Sequence, residues 1–471
     1  MKKRQSSRLG KGVLGWDVLL FFALYMIMPS YFAIEISSKL PLFTASRILF
    51  IIMGVMLLVR RRRQLVPLKL SQWNFLLTED RWLRGGLFLY FVLLTVCNGV
   101  LLLTDTGEAL KALFSVIVES YGLIWMLSLI LDTREKLEKA LAVAVVSSGV
   151  VATVVTVGCV LDVNPFYWLN TVEREMLMAG YYRLGLLRAE AGFGHPVYYG
   201  AFCAIMIPIN MYFIENNENR NKHLLFSGSL GMNLVGLVLS NSRGSLCAFA
   251  CLAFLVLVIR IREKRFVELC KIYLPIVGIA LMILGVVALM SPAGLAFLRG
   301  IVASLINTVA PGSVSMDIII DENTVISYGK NASGGRSRMT QMTGILWTMK
   351  ESPLFGLGSN AHKRGLVFYQ NKQGIWSRAQ TFDVALVSIV CQYGLVGLAG
   401  YISLFGSIFR TTAIKVYRQD SLMHFLGLAF ITYLLCLITI SSLDKVAWML
   451  ITVIVCLCNI IRKESSCETT H

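Results

Sequence analysis

Apolar runs of roughly twenty residues recur from one end of the 471-residue chain to the other, and a run of that length is what a helix needs to cross the hydrocarbon of a bilayer. Twelve can be placed, at 13–33, 41–59, 85–104, 109–131, 140–161, 196–214, 224–240, 244–260, 271–291, 382–409, 422–440 and 446–461. Within lipid every backbone N–H and C=O must be satisfied inside its own segment or barrel. The expected fold class is therefore an all-α polytopic membrane protein with about twelve transmembrane helices. The mix agrees, being 56% hydrophobic and only 15% charged. The first run follows a basic segment (Lys2, Lys3, Arg4, Arg8, Lys11) but is long, contains Asp17 and lacks a small-residue cleavage site, so it reads as a retained helix rather than a signal peptide.

The formal charge of +17 is distributed as a topology signal, not as a nucleic-acid surface. With a cytoplasmic N-terminus, Arg60 to Arg84, Arg134 with Lys136, Arg260 to Lys271, Arg410 to Arg418 and Arg462-Lys463 all fall inside, as the positive-inside rule requires. The expectation is a multi-pass protein of the cytoplasmic (inner) membrane with both termini cytoplasmic and no nucleic-acid partner. The eleven cysteines lie almost entirely in the apolar runs, and Cys456 and Cys458 cannot face the same way on one helix. Neither a disulfide framework nor a metal site is expected.

Two long loops then fall outside, Asp162 to His195 and 291–380, the latter between the ninth and tenth helices. The second is far longer than a plain connector. Inside it RMTQMTGILWTMKE spaces Met339, Met342, Leu346 and Met349 as an amphipathic helix, with Ser337 as N-cap and Pro353 as stop, lying on the outer membrane surface or over the bundle. DENTVISYGKNASGG before it reads as flexible, and the glycosylation pattern Asn331-Ala332-Ser333 carries little weight. No internal repeat is visible, which weighs against a secondary transporter.

Positive-inside bias should clear arginines from the outer mouth, yet several stand there. Arg188 and His195 lie in RLGLLRAEAGFGHP, Arg243 in the short turn SNSRGS, Arg338 in GGRSR, and Asp383 opens the tenth run. Most arginines near helix ends are snorkelling anchors, and Arg183 and Arg336 are read so. Arg188, Arg243 and Arg338 instead suit a diphosphate, which the planar guanidinium grips bidentately; the backbone N–H groups after Ser337 would add a helix-terminus anion site. His195 before Pro196 suits a cap or a ligand contact, and Asp383 suits the helix dipole. His362 in AHKRG reads as solvated surface. Lys111 and Glu119, eight apart, read as sharing a face, as a structural pair or as cavity lining.

WTMKESPLFGLGSN from Trp347 and FDVALVSIVCQYGLVGLAGY from Phe382 resemble the C-terminal signature of the O-antigen polymerase and ligase family. SNSRGS is similar to its Ser-Arg-Gly turn, RAEAGFGHP to its Arg and Phe-x-x-Pro segment, and Gly394-Leu395-Val396-Gly397 to its closing element. The likeness runs from about Arg188 to Gly400, with PLFGLG its most specific part. It implies a division into helices at 1–187, a catalytic core at 188–410 and closing helices at 411–471. It also implies an inverting glycosyltransferase without metal or cofactor, using a polyprenyl-pyrophosphate-linked glycan as donor beside membrane lipid, with a flippase and a chain-length regulator as partners. Carried across, Arg188, Arg243 and Arg338 fall on the family's outer-face arginines. Asp383 falls where ligases carry an essential histidine, which turns the expectation toward a polymerase with Asp383 and Arg338 catalytic. Ligation of glycan to a lipid, wall or protein acceptor is the alternative, and a lipid-linked oligosaccharide flippase the second.

Overall fold

The computed structural model describes residues 14–36, 42–63, 75–172, 182–183, 186–290, 334–371, 373–414 and 419–468, with short stretches at 299–303, 316–321 and 324–328 and a few single positions. Helices dominate: α1 (Trp16–Leu24), α2 (Ala45–Arg63), α3 (Arg81–Leu101), α4 (Thr106–Ile130), α5 (Arg134–Val160), α6 (Pro196–Glu215), α7 (Arg220–Leu239), α8 (Arg243–Arg262), α9 (Phe266–Met290), α10 (Gly334–Glu351), α11 (Ala385–Ala413), α12 (Ser421–Cys436) and α13 (Lys445–Glu468). Among the described residues nine of these are long and apolar enough to cross a membrane, and Ala45–Val59 and Ser421–Cys436 are shorter apolar helices. The protein is a multi-pass membrane protein. Each of the twelve apolar runs falls on a helix, although the first yields only the nine-residue α1.

The bundle is organised around α6, buried at nearly every position from Tyr199 to Ile214 and wrapped by α5, α7, α8 and α12. The closest pairing joins α3 to α11. A Cβ added at Gly86 would sit 2.2 Å from Ser407 Oγ, so glycine is what lets the two backbones approach. Between α5 and α7 the glue is polar. Ser229 Oγ donates to Val145 O at 2.6 Å and Asn233 Nδ2 to Ser148 Oγ at 2.8 Å. On the periphery, α9 shows Leu274, Leu281, Met282 and Leu289 bare, as a lipid-facing helix must.

One end of the bundle, here the far end, gathers the Arg-rich turns, and carboxylates hold them. Arg134 bonds Glu138 at 2.9 Å and pairs with Asp420, Arg260 bonds Glu215 at 2.6 Å, and Arg462 bonds Asp80 at 2.6 Å. The opposite end, the loop end, carries the long connections. Part of the segment expected to be flexible is instead strand, β1 (Met316–Asp321) pairing antiparallel with β2 (Thr324–Tyr328), both MDIIID and TVISY being rich in β-branched residues. Asn331, Ala332 and Ser333 lie outside the described residues, as do the side chains of Arg183, Arg336 and Ser337.

Lys111 and Glu119 do not form a pair. Lys111 Nζ meets Glu108 at 3.2 Å, whereas Glu119 takes Arg47 of α2 at 2.5 Å. A π-helical stretch, Ser115–Tyr121, lies inside α4. Its wider turn shifts the phase of everything after it, so counting by 3.6 across it misplaces a residue.

Candidate functional site

The site is built on a broken helix. Inside α11, Gly394 has φ 64° and ψ −159°, a conformation open in practice to glycine alone, and the helical ladder stops there. The freed backbone groups are taken up by the turn Pro353 to Gly358 that follows α10. Leu357 N donates to Cys391 O at 2.8 Å and Gly358 N to Gln392 O at 2.9 Å, while Leu395 N and Val396 N donate to Pro353 O and Leu354 O at 2.9 and 3.0 Å. The PLFGLG and GLVG elements are thus two halves of one backbone joint. A Cβ at Gly394 would fall 2.3 Å from Leu354 O, and one at Gly356 (φ 68°) 2.6 Å from the backbone of Gln392. Irregular backbone at membrane depth is tolerated where protein buries it, and this turn does so.

The joint anchors the segment between α10 and α11. A small core of Ala361, Val367, Ala379, Phe382, Val387 and Cys391 forms above it, with Met342 and Ile345 of α10 packed on. Beneath lies a cavity of about 480 Å³ that opens at the loop end and reaches down between α3, α4, α11 and α13. Ser359, Asn360, Ser388, Gln392, Ser441 and Ser442 give it a polar wall, and Tyr90, Tyr393 and Trp448 supply rings. Gln392 braces it, its Oε1 accepting from Asn360 N at 3.0 Å and its Nε2 donating to Ser388 Oγ at 2.6 Å.

His362 lines this cavity and is not solvated surface. Its imidazole packs on Phe382 with ring centroids 4.6 Å apart, Nδ1 is buried with no hydrogen-bond partner, and burial, helped by Lys363, pushes its pKa below the usual histidine value. The loop around it looked hydrophilic, and nothing local in AHKRG reports that the chain folds back over α11.

None of the five residues singled out from the sequence lines the cavity, although Phe382, next to Asp383, does. Arg188 reaches the SNSRGS turn, with Nε donating to Ser240 O at 2.9 Å and Nη2 to Asn241 O at 3.3 Å. It thereby caps the negative end of α7. His195 caps α6, its Nδ1 accepting from Val197 N at 3.1 Å. With Nδ1 so engaged, the proton of the neutral ring sits on Nε2. Burial, and then the charge of Arg188, carry the His195 pKa down to about 4, against the opposing pull of Asp383. These three side chains therefore share one electrostatic neighbourhood. Beside them Glu190, buried, accepts from Asn164 Nδ2 at 3.0 Å and from the Tyr167 hydroxyl, and burial raises its carboxyl above the usual range.

Arg243 opens α8, after Ser242. The next residue, Gly244, packs against Thr439. Thr439 lies in the α12–α13 turn, whose Leu437 O accepts from Ala385 N at 3.1 Å. Asp383 is tied to α10: Gln341 Nε2 donates to its Oδ2 at 2.7 Å, its own N–H donates to Gln341 Oε1 at 2.9 Å, and Thr381 Oγ1 donates to Oδ1 at 3.3 Å. Arg338 stands one turn before Gln341.

One expectation about α10 fails. The helix starts at Gly334, so Ser337 lies within its first turn and Arg338 is not at an open N-terminus. The methionine stripe is divided, with Met342 packed on the small core. Met339 and Leu346 are exposed, while Gln341, Gly344 and Thr348 are buried. Gly344 meets the Tyr369 ring, which a Cβ would approach to 2.8 Å. The contact that selects this face is the Gln341–Asp383 pair, which periodicity does not register.

The sequence also gave no notice of Asp444 and Lys445 in the α12–α13 turn. Asp444 caps α13 by accepting from Ala447 N at 3.0 Å and bonds the Tyr433 hydroxyl at 3.3 Å; Lys445 reaches Met28 O and Ser46 Oγ, the latter at 3.5 Å. Together with Tyr198 OH to Ser441 Oγ at 2.9 Å, these bonds fix the cavity's serine wall.

The family model described as O-antigen ligase matches residues 228–402. The matched stretch contains Arg243, Arg338, Asp383, the PLFGLG turn and the break at Gly394, and begins after Arg188 and His195. No curated protein matches the chain.

Proposed function

We propose that this chain, which carries an O-antigen ligase domain over residues 228–402, polymerises polyprenyl-pyrophosphate-linked oligosaccharide repeat units into a surface polysaccharide. The observation that carries the reading is the grouping of Arg188, His195 and Asp383, with Asp383 following the cavity-lining Phe382 just ahead of the helix broken at Gly394. In this reading the loop end faces outward, all twelve apolar runs cross the inner membrane and both termini are cytoplasmic. The donor's diphosphate sits among Arg188, Arg243 and Arg338, with His195 Nε2–H as a further donor, and its lipid tail lies along the bundle.

An inverting transfer builds negative charge on the departing diphosphate, and preorganised cations aimed at it lower the barrier. Asp383, accepting hydrogen bonds on both oxygens, positions α10 and with it Arg338 against the start of α11. A flippase would deliver the lipid-linked units to this face, and a chain-length regulator would set when release occurs. Ligation of glycan to another acceptor uses the same donor chemistry, and the description of the matched family favours it as the second reading.

The test is reconstitution in liposomes with lipid-linked repeat units from the host, products being resolved by size beside an Arg338→Ala, Asp383→Ala double variant. A ladder from the wild type that the variant fails to make supports polymerisation. Consumption of donor only when a separate acceptor is added identifies a ligase. Movement of units across the bilayer with no new bond identifies a flippase.

A further inference from the structure

We infer that the cavity beneath the PLFGLG joint is the acceptor-sugar subsite, and that His362 takes the proton of the attacking hydroxyl. This rests on the glycan-transfer reading above and adds to it the base that the arginine cluster lacks. The cavity's chemistry is that of a sugar pocket. Its wall presents the hydroxyls of Ser388, Ser441 and Ser442 and the amides of Asn360 and Gln392, with the rings of Tyr393 and Trp448 beside them. An uncharged ring bearing hydroxyls on its edge and C–H groups on its faces matches such a mixture. Arg188, Arg243 and Arg338 do not line the cavity, which leaves the diphosphate on their side and this space for the other substrate.

His362 stands at the boundary between the two. Its ring lies on Phe382, and the next residue, Asp383, belongs to the arginine side. Its buried Nδ1 makes no hydrogen bond within the protein. A buried polar atom left unpaired costs stability unless something completes it, and a sugar hydroxyl in the cavity would. The imidazole reaches it by turning about its broad Cβ–Cγ torsion. The other candidates are held by the protein: His195 Nδ1 accepts from Val197 N–H, and the Asp383 carboxylate is tied to Gln341 and Thr381. Around His362 the titratable groups of the wall are Lys363 and the phenols of Tyr90, Tyr393 and Tyr401. Glu108 reaches the wall through Asn360 and is paired with Lys111.

In the step, the acceptor O–H breaks and its proton passes to Nδ1 while the oxygen bonds the anomeric carbon. The bond from that carbon to the diphosphate breaks, its electron pair leaving on polyprenyl diphosphate. His362 then returns the proton to water.

The test uses the full-length protein in liposomes with lipid-linked repeat units. His362→Gln, which keeps a polar side chain of similar reach without a basic nitrogen, should lower kcat at least about 100-fold, the usual contribution of a general base, while the KM for donor changes less than about two-fold. His362→Ala should lose the acid-side inflection of the wild-type pH profile and regain turnover with added imidazole. A His362→Gln protein within about ten-fold of wild type overturns the inference, as does a His362→Ala protein that keeps the wild-type acid limb and ignores imidazole. A wild type that joins no sugars at all overturns the glycan-transfer reading instead.

Discussion

Replacing Gly394 with alanine tests the joint on which the site is built. At φ 64° and ψ −159° a side chain costs about 1–3 kcal/mol in backbone strain alone. The new Cβ would lie 2.3 Å from Leu354 O, 2.5 Å from Leu354 C and 2.6 Å from Gly356 N, none of which is a flexible side-chain tip. The PLFGLG turn must therefore retreat. The bonds nearest the clash, Leu395 N to Pro353 O and Val396 N to Leu354 O, are worth about 1 kcal/mol each, giving roughly 3–5 kcal/mol against the docked turn. The control is Gly406→Ala in the same helix, where nothing lies within 4 Å of the added carbon and alanine is the better helix former. Thermal unfolding in detergent should place Gly394→Ala at least about 5 °C below wild type and Gly406→Ala at or above it. Protease nicking near Phe355 should rise only in the former. Equal midpoints for the two variants would refute the joint.

Arg188→Ala removes a charged donor from two carbonyls at the end of α7, and should cost about 1.5–3 kcal/mol in detergent stability as well as glycan transfer, with Arg188→Lys recovering little of either because it lacks the fork. His195→Ala should lose about 1 kcal/mol of helix capping, which His195→Asn restores; if Nε2–H also contacts the diphosphate, the asparagine variant stays stable yet binds donor more weakly in a titration. The folded pKa of His195 is depressed to about 4, so its contribution to stability is complete above the unfolded value of about 6.5 and is lost as pH falls toward 4; unfolding curves of His195→Asn should be flatter than wild type over that window. Ser442→Trp, placed on the exposed rim of the cavity, should abolish transfer while moving the thermal midpoint by no more than a surface change does, within about 0.5 kcal/mol.

The helices were legible because lipid demands long apolar runs, and the gathering of the Arg-rich turns at one end because those turns alternate along the chain with the other connections. The loop end was legible in part. SNSRGS does form a tight turn with Arg243 at the head of α8, and Arg188 and His195 do meet electrostatically. What stayed hidden depends on contacts far apart in the chain. The PLFGLG glycines announce a turn but not that it fills a break forty residues on, near Gly394. His362 is polar, flanked by Lys363 and Arg364, and becomes a cavity residue only when Ala361 and Val367 fold over α11. The buried face of α10 follows from Gln341 bonding Asp383. The pairing of Glu119 with Arg47 follows from a π turn that no hydrophobic period reveals.

The central claim is that one sugar chain passes from its lipid to another lipid-linked unit at this mouth. The direct measurement supplies purified protein in liposomes with two lipid-linked repeat units, one of them isotopically heavy in the glycan, and reads products by mass spectrometry. The account predicts a mixed dimer on a single lipid, with one polyprenyl diphosphate released for each bond formed. Intact units recovered unjoined, with or without movement to the other leaflet, would contradict it.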